Sequence, residues 1–292
     1  MNTVDLKYQI ENLYDKAICI DGESYANHPV RIVQCVKSII GINPENPSEK
    51  LLSFCTDYVK GFSKSNNYTI LEDDTLPEVV TFADLELSLK NKKFEEASKN
   101  VSYLLKVSDS KHILEFFVEF SLKYDMKSFY CIWSVYKMML FLKGKDVLKN
   151  IIFCIKLIVK DVKPVYVANV NDNNYDLFKY KYDKDSIETI WMYYSIINED
   201  LVRKENISKY IYNNSIKKFD TLDRLDTLNV LDEQKTLGRK WISSYIDNID
   251  YQLLDVKIVL ILEACRAGLK ASNGLCGDVI WDRLNTYLNE YR

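Results

Sequence analysis

Residues 128–144 read Ser-Phe-Tyr-Cys-Ile-Trp-Ser-Val-Tyr-Lys-Met-Met-Leu-Phe-Leu-Lys-Gly. From Phe129 to Leu142 the aromatic and aliphatic side chains fall on every face of a 3.6-residue repeat, the pattern of a helix buried all round inside a bundle. Ser128 is suited to cap its start, and Gly144 to end it. Outward from this helix, the block Phe82 to Lys163 is bounded by Pro77 and Pro164, contains no proline, and has Gly144 as its one glycine. It holds four further helices. Phe82 to Leu89 is followed by the polar break Lys90-Asn91-Lys92-Lys93, and Phe94 to Leu105 turns Ala97, Val101 and Leu104 inward. Ser108-Asp109-Ser110 offers cap oxygens to a helix carrying Ile113, Leu114, Phe116, Phe117, Phe120 and Tyr124, and Asp146 to Lys160 closes the block. Connections this short imply antiparallel neighbours.

Before the block, helices are expected over 4–15, within Glu23 to Gly41 beginning just after Pro29, and from Ser48 to near Gly61; residues 62–78 read as a polar, acidic surface loop. After Pro164 the period changes. Val165 to Val170 and Tyr175 to Tyr182 alternate aromatic or β-branched residues with polar ones around Asn171-Asp172-Asn173-Asn174, which predicts a short β-hairpin near 165–182. Helices resume over 185–197, 200–218, 230–247, 251–267 and 277–291, with Gly268 placed as a C-terminal cap. The fold class expected is mainly α, a multi-helix bundle of antiparallel helical hairpins in two lobes. Residues 1–164 form the N-terminal lobe, with 82–163 as its core block, and 165–292 form the hairpin and the C-terminal lobe.

Eight glycines and five prolines in 292 residues leave little material for tight turns, which disfavours all-β folds and glycine-loop nucleotide folds. Neither G-x-x-x-x-G-K-[ST] nor G-x-G-x-x-G occurs, and G-x-S-x-G is missing too, so P-loop, Rossmann and nucleophile-elbow chemistry are set aside. A formal charge of −3 gives no global attraction to nucleic acid. Lysine outnumbers arginine 32 to 7, and six of the arginines lie beyond residue 200. Together with abundant Asn, Ile and Tyr, this bias points to an AT-rich genome. The seven cysteines lie at least eleven positions apart, which predicts reduced thiols and an intracellular chain rather than a metal or redox pair. No basic-then-apolar leader opens the sequence, and the longest apolar run, Ile151 to Val159, is broken by Lys156, so no membrane association is expected.

Few residues present themselves for chemistry. Of the two histidines, His28 precedes Pro29 and His112 opens an aromatic-rich helix, and His112 is the one kept as a candidate general base. Asp73 and Asp74, beside Glu72 and Glu78, are the nearest approach to the aspartate-rich segments that hold magnesium in helical enzymes, although Pro77 interrupts the helix such a site needs. Glu263 and Arg266, three residues apart, are expected to form a surface ion pair. Two basic strips stand out. One has six lysines between Lys143 and Lys163, and the other interleaves Lys209, Tyr210 and Tyr212, a combination able to stack on and neutralise single-stranded nucleic acid.

No residue pattern names a reaction, a cofactor or a metal site, and none is assigned. The sequence therefore favours a non-enzymatic interaction or scaffold protein that offers helical surfaces to a protein partner or to another copy of itself. An enzyme, or the remnant of one, with a helical pocket assembled from distant residues is the alternative. A single-stranded nucleic-acid-binding accessory protein is a further alternative.

Overall fold

The computed structural model describes residues 3–21, 24–63, 79–162, 180–181, 187–216, 220–221, 228–272 and 275–291. Among the described residues, eight α-helices precede residue 163: α1 (Thr3–Ala17), α2 (Pro29–Ile40), α3 (Glu49–Lys60), α4 (Phe82–Lys90), α5 (Phe94–Val107), α6 (Ser110–Lys123), α7 (Phe129–Phe141) and α8 (Val147–Asp161). Six follow: α9 (Ile187–Ile197), α10 (Lys204–Ile216), α11 (Asp232–Leu237), α12 (Lys240–Asn248), α13 (Val256–Ala271) and α14 (Leu275–Tyr291). The protein is mainly helical. Extended pairing among the described residues is a two-residue antiparallel ladder, Tyr180 opposite Thr221 and Lys181 opposite Asp220. Most of the hairpin expected near 165–182 lies outside the described residues, and its described part pairs with 220–221.

Local chemistry explains several helix starts. Thr81 and Asp84 close a reciprocal capping box at α4, Asp109 accepts from Lys111 N–H at α6, and Asp255 accepts from Ile258 N–H at α13. Ser128 does not cap α7. Its own backbone is already helical, and its N–H donates instead to Asp161 Oδ2 at 2.8 Å, tying the start of α7 to the end of α8. The expected helix 230–247 is divided into α11 and α12 at Gly238, whose φ of +52° suits glycine. Gly268 lies inside α13 rather than capping it. A Cβ there would come 3.1 Å from Ile280 Cδ1 of α14 and 3.5 Å from Trp191 Cβ of α9, so the missing side chain is what lets three helices meet.

The core is one connected cluster that runs through helices on both sides of residue 164. As expected, α7 is buried on nearly all faces, and it packs on α2, α6 and α8. The centre is shared, however. Ten residues of α2 and ten of α13 are buried, and α13 packs on α2, α9 and α14. Each fully buried large apolar side chain in these helices contributes roughly 1.5–3 kcal/mol relative to exposure.

The N-terminal segment lies along α8 with both chains running the same way. Glu11 meets Lys145, Asp15 meets Lys149 at 3.9 Å, and Asp21 meets Lys156 at 2.5 Å. Inside this ladder, Tyr14 donates to Asn150 Oδ1. Three lysines of the first basic strip are therefore engaged by acidic partners from α1 and the turn after it.

Candidate functional site

The polar heart of the structure is the junction of α2, α7, α9 and α13. Spacing by three places Arg31, Gln34 and Lys37 along one side of α2, Ser134 and Lys137 on α7, and Glu263 and Arg266 on α13. Glu188 and Ser195 face them from α9.

Arg31 is 4% exposed and engages three partners through its guanidinium. It pairs with Glu188, donates to Ala26 O at 2.6 Å, and lies over the Tyr130 ring at 4.3 Å. Burial lowers its pKa, while the surrounding Cys35, Tyr130 and Cys131 act in the opposite sense. Lysine could not make this set of contacts, because a planar fork is needed to bond and stack at once. Gln34 Nε2 donates to Ser38 Oγ at 2.9 Å and to Glu263 Oε1 at 3.3 Å, and its carbonyl oxygen accepts from Ser134.

Glu263 holds Arg266 through two bonds, from Nε at 2.5 Å and Nη2 at 2.9 Å. This is the pair expected on the surface. It is instead turned into the junction, with side chains only 11–12% exposed. Burial would lower the Arg266 pKa, but the Glu263 charge and hydrogen bonds outweigh it and hold it above its ordinary value. Lys137 reaches Glu199 at 2.5 Å and lies over Trp133 at 5.6 Å. Lys37 is half-buried above the Phe141 ring at 5.6 Å. Burial pulls its ammonium down to about 8; Glu263 opposes that shift, and Lys137 and Arg266 add to it.

The space between these side chains is small, about 30 Å³. A cavity accepts a water once it offers roughly 10–15 Å³, so this one has room for about two waters or an ion. Its thiol is unreactive in character: burial, aided by Glu263, pushes Cys35 up to about 12. Among the described residues no group of three or more His, Cys, Asp or Glu is placed to hold a metal ion.

The residues singled out from sequence lie elsewhere and are not brought together. His112 sits half-buried in the first turn of α6, away from the junction's lining. Asp73 and Asp74 lie outside the described residues. Lys209, Tyr210 and Tyr212 are half-buried on α10, and both tyrosines pack against the core rather than standing clear as stacking platforms.

The other histidine has a defined task. His28, 1% exposed, caps α2: its Nδ1 accepts from Val30 N–H at 3.2 Å and its Nε2 lies 3.1 Å from Ile20 O, so the neutral ring donates there. The ring also packs on Phe153 at 5.4 Å.

Sequence reasoning missed the junction because its members are scattered over more than 230 positions, from Arg31 to Arg266. One signal was present. Arg31 is the single arginine among the first 202 residues of a chain that otherwise uses lysine for positive charge. No protein-family model, curated relative or solved structure matches this chain.

Proposed function

We propose that this chain is a non-enzymatic, intracellular helical protein that acts by presenting its surface to a protein partner or to a second copy of itself. The observation that carries the reading is the self-sufficiency of the polar junction. Its charges are matched mainly with one another around a space of about 30 Å³, which leaves no room for an organic substrate of ordinary size. Such a network fixes one arrangement of four helices, which is what a scaffold needs. In this reading residues 1–164 and 165–292 are two lobes built of antiparallel hairpins that share a single core.

Light scattering of the purified chain, combined with chemical cross-linking at native abundance, tests the proposal. A mass well above 34.2 kDa, or a stoichiometric cross-linked neighbour, is expected. A strict monomer without any cross-linked neighbour overturns it. The enzyme alternative makes a different prediction, namely stabilisation of the chain by an organic metabolite. The nucleic-acid alternative is weakened by the pairing of Lys145, Lys149 and Lys156 with Glu11, Asp15 and Asp21.

A further inference from the structure

Contacts between α2 and α7 advance in step. Arg31 lies over the Tyr130 ring, Gln34 accepts from Ser134, and Lys37 lies over the Phe141 ring at 5.6 Å. Lys37 therefore faces the turn of α7 that carries Lys137. Gln34 also bonds Glu263, which brings the Glu263–Arg266 pair of α13 within a turn of Lys37. Three cations meet two carboxylates here, and both carboxylates are engaged, Glu199 by Lys137 and Glu263 by Arg266 and Gln34. Among the described residues the Lys37 ammonium has neither an ion pair nor a hydrogen bond. Its contact is a ring face that Lys7 shares at 5.9 Å. That is a weak attraction for a half-buried group beside two like charges.

We propose that Lys37 is a site of Nε-acylation, its amine taking a small acyl group such as acetyl from a thioester. The nitrogen lone pair attacks the thioester carbonyl. A C–N bond forms as the C–S bond breaks, and the leaving thiolate takes up the proton that the nitrogen sheds. The product amide is neutral, so the cluster passes from three cations against two carboxylates to two against two. The same surroundings supply the reactive form of the amine. Burial pulls the ammonium from 10.5 down to about 8; Lys137 and Arg266 add to that shift, and Glu263 and Cys35 oppose it. At about pH 7.4 the free amine is then roughly a fifth of the population, against under about 0.1% for an ordinary lysine. Lower basicity takes back much of the gain, because nucleophilicity falls with pKa, and leaves a rate roughly 5–10 times that of an exposed lysine. The inference does not rest on the scaffold reading, since an interaction protein and an enzyme could each carry the modification.

Incubation of the full chain with S-acetyl-N-acetylcysteamine at about pH 7.4 tests it, with acetylation of each lysine followed in time by peptide mass spectrometry. In the folded chain Lys37 is expected to react roughly 5–10 times faster than the median exposed lysine, and in guanidinium chloride at the same rate as the rest. A second measurement reads the charge without any reagent. Lys37→Gln carries a neutral amide of similar polarity to the product. Because the folded pKa of Lys37 lies below the unfolded one, the unfolded native chain binds more protons above about pH 8, and the native chain should gain stability relative to Lys37→Gln as the pH rises from about 8 to about 10. Acetylation of Lys37 no faster than the median, an advantage that persists in guanidinium chloride, or a stability difference between the two chains that stays constant over that pH interval overturns the proposal.

Discussion

Acidification should unfold this protein through His28. In the folded state burial is the largest influence on that ring and pulls its pKa from 6.5 to about 4; the Ile20 carbonyl and Asp21 oppose the shift, and Lys160 adds to it. The geometry states the same thing, since Nδ1 must keep a lone pair to accept from Val30 N–H. A proton on Nδ1 removes the cap and leaves a buried charge. Because the folded pKa lies below the unfolded one, the unfolded chain binds more protons between pH 4 and 6.5. Stability is thus complete above about pH 6.5 and is lost as the pH falls toward about 4. Linkage gives about 2 kcal/mol lost at pH 5 and about 3 kcal/mol in all. Urea unfolding followed by tryptophan fluorescence at pH 7 and 5 measures this. The control is His28→Asn, which retains a capping oxygen and cannot titrate. It should start about 1–2 kcal/mol less stable at pH 7, having lost the Ile20 bond and the Phe153 packing. It should then lose about 2 kcal/mol less than the native chain on going to pH 5. If the two chains lose stability in parallel over that interval, the reasoning about His28 is refuted.

Arg31→Lys should destabilise the chain by about 2 kcal/mol in urea, since an ammonium cannot bond Glu188 and the Ala26 carbonyl while stacking on Tyr130. Gly268→Ala gains helix propensity yet should cost about 1 kcal/mol net, because the new Cβ meets Ile280 Cδ1; adding Ile280→Val, which lacks that atom, should restore stability. Replacing Glu11 with Gln and Asp15 and Asp21 with Asn should release Lys145, Lys149 and Lys156 and create low-salt binding to a single-stranded oligonucleotide that the native chain lacks, as read by fluorescence anisotropy. Among the six cysteines whose side chains are described, only half-buried Cys19 should react readily with a thiol reagent at neutral pH, because the other five are buried and burial raises the pKa of each.

The helical character was readable wherever an apolar stripe and a capping residue coincided. Asp109 before Ser110 is such a place, and α6 begins there; the Thr81–Asp84 box at α4 emerged only from the structure. Ser128 and Gly268 misled for one shared reason. Each has the chemistry of a helix terminus, but a long-range neighbour, Asp161 in one case and Ile280 with Trp191 in the other, gives it a different task. The division at Gly238 depended on a positive φ, which a glycine permits but does not announce. For the polar junction the obstacle was distance along the chain. Glu263 and Arg266 at i and i+3 read as an ordinary solvated pair, and only the packing of α13 on α2 turns them inward. His28 was passed over because a histidine before proline resembles a loop residue until the carbonyl of Ile20 is brought beneath it.

The packing of α2 on α13 has a consequence for how the chain is made. Gln34 and Glu263, which bond across that contact, are separated by 229 residues. At roughly 5–20 residues per second, a ribosome needs on the order of 10–45 s to supply the second after the first. Throughout that interval the face of α2 reserved for α13 has no permanent cover, while its contacts with α1, α3 and α7 can already form. Nascent chains halted before Val256 should therefore hold chaperones and aggregate when released, and completion of α13 should end both behaviours at once. The last eighth of the polypeptide, from Val256 onward, thus acts as a folding checkpoint for its first forty residues.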